Sequence, residues 1–341
     1  MVDLIAAHNE LFRRSPDECF ATLPDLKTFC EQQKEASEEC WHLPQKAKPL
    51  AQADNMVLQI EDETEFQLND WSFSQLCRLA GVSRDTINRL SADTASRALR
   101  ETLPSAYKPI QFLTTGSQVR SLHGVSYTRL WNANLLQVVS NVATDFQAAQ
   151  QARTGGTGLY CGEQDLFCFL IDPTGWIEID NEAFAPGFFI WNSEVGKRSL
   201  GIQTFWFQAV CGNHIVWDAV EVIEFTRKHT TRVDEGLQEI ERLIENLVAK
   251  REERRDAFYT VMHKAMQEKL GADAEEVCKR LLKQGIPRGL ADKAIEIAQE
   301  QGRFTIYALV DALTRLSQQT SYIGNRTEMD AKVAKLLTLV C

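Results

Sequence analysis

The residues with the most to offer chemically sit in two polar loops, Asn192-Ser193-Glu194-Val195-Gly196-Lys197-Arg198-Ser199 and Cys211-Gly212-Asn213-His214, each set between aromatic and β-branched segments. Arg120, Tyr127 and Arg129 lie together in the span 119–130, and Arg227, Lys228 and His229 form a third cluster. A single nucleic-acid strand is held by a cationic groove along its phosphates and by flat rings on which its bases stack, worth roughly 1–3 kcal/mol per base. In that chemistry Arg120, Arg129, Lys197, Arg198, Arg227 and Lys228 contact phosphates, Tyr127 and Trp191 stack, and Asn192, Asn213 and His229 supply polar contacts. The competing reading makes the aromatics core residues and the arginines solvated surface.

A second constellation is FSQLCRLAGVSRDTINRL at 73–90, a helix, an AGVS turn and a second helix. It resembles the helix-turn-helix of duplex-DNA regulators, in which Ser83, Arg84, Asp85 and Asn88 would face the major groove. The same residues also build an ordinary tight corner, a Gly-terminated helix followed by a Ser-capped one. Asp70, Asp85 and Asp93 on its flanks oppose phosphate contact.

Metal and covalent chemistry find less support. Cys211/His214 and Cys40/His42 each have a ligand spacing without a second half, and Cys211 beside a strand reads as a small apolar group. Glu178, Asp180 and Glu182 alternate along one strand and its turn, the pattern of a divalent-cation site or of a solvent-facing edge. The chain holds no GxSxG and no phosphate-binding GxxxxGK[ST], and TGGTG at 154–158 lacks the lysine. The expectation is binding rather than catalysis, with no metal and no cofactor. Capture of a protein or small ligand by the loops 192–198 and 211–214 stays open.

These groups need a frame. The order read from pattern is α+β: a helical corner, an antiparallel sheet core, then an all-α C-terminal region. Residues 1–54 form a polar segment, partly helical or disordered, with the KAK stretch between Pro44 and Pro49 as a linker. Residues 55–232 form the core domain and 233–341 the helical region. NMVLQI at 55–60 and FQL at 66–68 are strands; Ser72 has capping-box spacing to Gln75; Ser83 and Ser91 cap two further helices. Short strands follow at 108–112 and 118–122, then a helix over 132–150. GLYCG, DLFCFLID and GWIEID are strands, the last two joined in a hairpin by the Pro173–Gly175 turn. The segments of 184–218 are neighbours in one sheet, and VEVIEFTRKH is the final strand. Residues 234–270 make a long charged amphipathic helix, broken once at most and the expected self-association element unless it packs on its own domain. Three more helices complete the chain.

At 341 residues, 44% apolar and 25% charged, the composition is that of a globular protein of one large domain or two. A net charge of −10 weighs against a surface coated for duplex DNA and leaves room for a local basic groove. No apolar run approaches the roughly 20 residues that span a bilayer, and no secretory signal is apparent at the N-terminus. Nine scattered cysteines without a CxxC pair fit reduced thiols in a cytoplasm.

WSFSQLCRLAGVS at 71–83, VRSLHGVSYTRLWN at 119–132, GFFIWNSEVG at 187–196, AVCGN at 209–213 and RKH at 227–229 occur in an order that resembles the phage- and plasmid-like proteins grouped as domain of unknown function 932. FTIYALVDALTRLSQ at 304–318 is similar to that family's C-terminal part. The chain departs from the pattern at Trp131 and His214. The resemblance implies a mobile-element protein that handles single-stranded DNA in transfer, replication or recombination, or acts in defence or counter-defence. The helix-plus-sheet order is also similar to that of ring-forming single-strand annealing proteins.

Overall fold

The computed structural model describes residues 10–60, 64–105, 108–148, 158–208, 213–216, 225–227, 233–300, 302, 304–320 and 322–340. Strands β1 (Glu18–Cys19) and β2 (Ser37–His42) flank helix α1 (Leu23–Glu35), and β3 (Ala47–Gln52), β4 (Asn55–Ile60) and β5 (Thr64–Leu68) follow. Helices α2 (Asp70–Ala80), α3 (Arg84–Ile87) and α4 (Ala92–Thr102) precede β6 (Ile110–Thr115) and β7 (Gln118–His123). Helix α5 (Asn132–Val142) leads to β8 (Gln147–Ala148), β9 (Leu159–Cys161), β10 (Leu166–Ile171), β11 (Ile177–Ile179), β12 (Glu182–Asn192), β13 (Leu200–Gln208), β14 (Asn213–Val216) and β15 (Phe225–Arg227). The last helices are α6 (Val233–Ala249), α7 (Arg251–Gln267), α8 (Ala274–Lys283), α9 (Arg288–Glu300), α10 (Ile306–Ser317) and α11 (Ile323–Ala334). The class is α+β, as the pattern implies.

The strands divide between two sheets. The smaller runs β2-β6-β7-β5-β4-β3 and is antiparallel except where β5 meets β7 in parallel. That pair is joined by the α2–α4 corner and β6, the long crossover that a parallel connection requires. Phe73, Leu76, Ala95 and Leu99 of the corner cover Met56, Leu58, Phe112 and Val119 on one face. The other face carries Gln111 and Arg120 and turns towards the loop 192–199.

The larger sheet runs β1-β9-β10-β12-β13-β14, with β8 on β10, β11 on β12 and β15 on β13. Its central β10, Leu-Phe-Cys-Phe-Leu-Ile, is buried along its whole length because both faces are covered. Leu166, Cys168 and Leu170, with Phe188 and Ile190 of β12, pack on Leu26 of α1, Leu135 and Leu136 of α5, and Ile240 and Ile244 of α6. Phe167, Phe169 and Ile171, with Phe189 and Phe205, face Ile323 and Ala334 of α11. A strand buried on both sides reads as an unbroken apolar run rather than an alternation. At one end of the sheet, Phe184 and Trp206 enter the helical core, where Trp206 stacks on Phe258 with ring centroids 4.1 Å apart.

Several expectations need correction. The KAK stretch ends a 3-10 turn at Lys46 and opens β3 at Ala47 and is not a linker, and residues 18–52 supply strands to both sheets. The α2 capping box uses Asn69 with Ser72, one turn earlier than expected. Helix α5 stops at Val142, and residues 149–150 lie outside the described residues. β10 and β11 form no hairpin; β11 pairs with β12 around Asp180 and Asn181, whose positive φ of 49° and 68° suits a two-residue turn. Among the described residues four helices, not three, follow the long charged segment, which breaks at Lys250. Its apolar stripe is taken up within the chain: Ile240, Leu243, Ile244 and Leu247 join the α1–α5 core, and Phe258 and Met262 the helical core.

Candidate functional site

The loop 192–199 joins β12 to β13 and is fixed residue by residue. Asn192 donates through Nδ2 to the Leu130 carbonyl at 2.9 Å and to Asn132 Oδ1 at 2.8 Å. Ser193 Oγ donates to the Gln164 carbonyl and accepts the Lys197 amide at 2.8 Å. The Glu194 carboxylate takes Arg120 at 2.8 Å and the Asn132 amide at the start of α5 at 2.7 Å. The Glu194 carbonyl accepts Tyr127 Oη at 2.9 Å and the Arg129 guanidinium. The Val195 carbonyl accepts Trp71 Nε1 at 2.6 Å and faces His123 Nε2 at 3.0 Å, which requires the proton on that nitrogen. Gly196 completes the turn at φ +71°, where an added Cβ would stand 2.6 Å from the His123 ring.

Arg120 and Arg129, 4% and 9% exposed, therefore sit behind the loop. Arg120 also reaches Gln33 at 3.0 Å, and Arg129 holds Glu39 at 2.6 Å and Gln111 at 2.9 Å. Separating a buried ion pair costs about 3–5 kcal/mol, whereas an exposed one is worth roughly 0–1 kcal/mol. Recruiting Arg120 to a surface phosphate thus loses more than it gains, and Arg129 would have to leave the Glu194 carbonyl and Gln111. Burial pushes the Tyr127 phenol up, so it remains a neutral donor.

The outer end of the same loop is open. Lys197 and Arg198 line a polar cleft of about 480 Å³, with Arg14 from the N-terminal segment, Trp71 and Ser74 of α2, Arg84 of α3, Gln164 before β10, and Asn325 and Glu328 of α11. Asp165, buried behind the wall, accepts Arg14 and Arg198 at 2.8 Å each. Arg14 also pairs with Asp17 at 2.8 Å, Arg84 with Asp70, and Arg198 with Glu328 at 3.3 Å. Gln164 donates to Asp70 at 3.0 Å. Lys197 has no carboxylate within ion-pair reach among the described residues; its ammonium lies 4.9 Å over the Trp71 ring. Partial burial, and then neighbouring Arg198, lower its pKa. Burial raises Glu163, beside the cleft, to about 7, against the lowering effect of the Ser15 amide that it accepts at 3.2 Å. The cleft wall joins distant parts of the chain: Tyr322 Oη donates to the Arg14 carbonyl at 3.4 Å, and the Ile323 amide to Asp17 at 3.2 Å.

A second cleft, about 400 Å³, adjoins the first and shares Lys197, Arg198 and Glu328 with it. Its floor is Phe167, Phe189 and half-buried Trp191 of the larger sheet, with Ser199 and Gln203 beside them and Thr327 and Ala331 of α11 opposite. The Trp191 indole lies flat against β13 because position 201 is glycine; any Cβ there would collide with the ring.

Of the residues singled out from sequence, Trp191, Lys197 and Arg198 meet at this pair of clefts. Asn192 and Tyr127 anchor the loop from inside. Arg227 is in register with Leu200, at the sheet end that carries Lys197 and Arg198, whereas Asn213 is opposite Gln208 at the far end. Lys228, His229 and Cys211 lie outside the described residues. In the corner, α3 is a single turn of four residues and Ser83 caps it. Asn88 is buried and exchanges two hydrogen bonds with the Phe12 backbone, at 2.7 and 3.0 Å, so it faces no groove. Among the described residues no group of three or more His, Cys, Asp or Glu is arranged to hold a metal ion, and no helix is long and apolar enough to cross a membrane. Glu182 instead accepts Gln208 at 2.9 Å. Arg14, Gln164, Phe167 and Glu328 were beyond sequence reasoning, since only tertiary packing brings them to the loop.

No family model matches this chain, and no curated protein or solved structure matches it either.

Proposed function

We propose that the protein is a non-catalytic, single-stranded nucleic-acid-binding or annealing protein of a phage- or plasmid-like element, with Lys197 and Arg198 on the phosphates and Trp191 under a base. The observation that carries this reading is the junction of two clefts, one cationic and one aromatic, at a shared Lys197-Arg198 ridge. A strand presents a charged edge and flat apolar faces in alternation, and the Lys197-Arg198 ridge beside the Phe167–Phe189–Trp191 floor offers both. The mobile-element setting rests on the order of the motifs at 71–83, 119–132 and 187–196. The described cysteines are free thiols, which supports a reducing, cytoplasmic compartment. The acidic balance of the whole chain restricts contact to this local basic area.

The test is fluorescence anisotropy of a labelled oligothymidylate titrated at several salt concentrations. Binding should weaken as salt rises, with a log–log slope of about −0.7 per phosphate contacted. Lys197→Glu should weaken binding about tenfold at low salt, corresponding to about 1.4 kcal/mol, and flatten the slope. Binding that ignores both salt and this substitution rejects the reading.

A further inference from the structure

The polar cleft contains more donor capacity than a passing backbone phosphate needs. Four cations, Arg14, Arg84, Lys197 and Arg198, stand in its wall against two carboxylates, Asp70 and Glu328. Asp17 and Asp165 lie outside the lining and hold Arg14 and Arg198 from behind. The guanidiniums are thus oriented in advance, and their alignment needs no further ordering when an anion arrives. The Nε groups of Arg14 and Arg84 are buried without an acceptor among the described residues. Lys197 adds an ammonium that pairs with no carboxylate among the described residues.

We propose that this cleft binds a terminal phosphate, the phosphomonoester at the end of a strand, while the adjoining Phe167–Phe189–Trp191 cleft receives the terminal base. A phosphomonoester carries about −1.5 to −2 charges at pH 7 and three acceptor oxygens, against the single charge of an internal phosphodiester. Three guanidiniums and one ammonium line the cleft and can donate to all three oxygens of the former. Arginine forks suit it further, because guanidinium–phosphate pairs form two parallel hydrogen bonds. The proposal rests on the single-strand reading and refines it from any stretch of strand to its phosphorylated end.

The experiment compares short oligothymidylates of one length bearing a 5′-phosphate, a 3′-phosphate or hydroxyls at both ends, titrated into the intact protein. One phosphorylated form should bind about tenfold more tightly than the hydroxyl form, and which one it is identifies the end that is held. Ser74→Asp places a carboxylate in the cleft at a residue that makes none of its ion pairs, and should abolish that preference with the melting temperature retained. Equal binding of all three oligonucleotides overturns the proposal and leaves the single-strand reading in place. No binding of any of them overturns both.

Discussion

The two ends of the loop 192–199 carry the same kinds of side chain and use them in opposite ways. At the inner end, Arg120 is closed on buried Glu194, and buried Arg129 reaches the Glu194 carbonyl and the exposed Glu39 carboxylate. At the outer end, Arg14, Arg84 and Arg198 are held by carboxylates on one side and face a cleft on the other. The difference is solvent. A guanidinium deprived of water needs its charge matched where it sits, whereas one at a cleft wall needs only to be aimed. Charge at the inner end therefore contributes to holding the sheets in register, and charge at the outer end remains available for recognition.

The sharpest way to break this comparison is Glu194→Ala. It strands Arg120 without its carboxylate and removes the acceptor of the Asn132 amide. Denaturant unfolding should show a loss of about 3–5 kcal/mol. An effect below about 1 kcal/mol would place the inner end in the same class as ordinary surface pairs. Gly196→Ala comes next, because the positive φ and the His123 ring both oppose a Cβ. About 1–3 kcal/mol of stability should go, and binding should fall with it as the Lys197 ammonium is re-aimed.

Glu163→Gln has a smaller, pH-dependent effect. Its folded-state pKa of about 7 lies above the ordinary 4.5, so the folded protein keeps a proton that the unfolded chain releases. Stability contributed by this group is full below about pH 4.5, declines as pH rises and levels off above 7. Glutamine, which keeps an acceptor for Ser15, should remove that decline and add about 1–2 kcal/mol at pH 8, after allowance for solvent screening. A melting temperature with the same pH profile in both proteins would show that Glu163 is not the group responsible. Lys197→Glu, the substitution that should weaken strand binding, is expected to change stability least, within about 0.5 kcal/mol.

What the sequence discloses follows from how local each cause is. The strand at Asn55–Ile60 and the caps at Ser83 and Ser91 are readable because neighbouring residues decide them. Trp191, Lys197 and Arg198 are readable as neighbours because β12 and its loop keep them together. The inner arginines are not. Arg120 occupies a strand position indistinguishable by pattern from a solvated one, and its burial depends on Glu194, which is 74 residues away. The division into two sheets was equally hidden, because pairing of β5 with β7 skips four elements that sequence order presents first.

The contacts between residues 14–17 and 322–323 have a consequence in time. About three hundred residues separate the two strips, and at about 5–20 residues per second a ribosome needs roughly 15–60 s to add the second after the first. Both sheets precede α11 in the chain and have their strands in hand during that interval. A nascent chain that already has its β core thus lacks one wall of each cleft until α11 has been added.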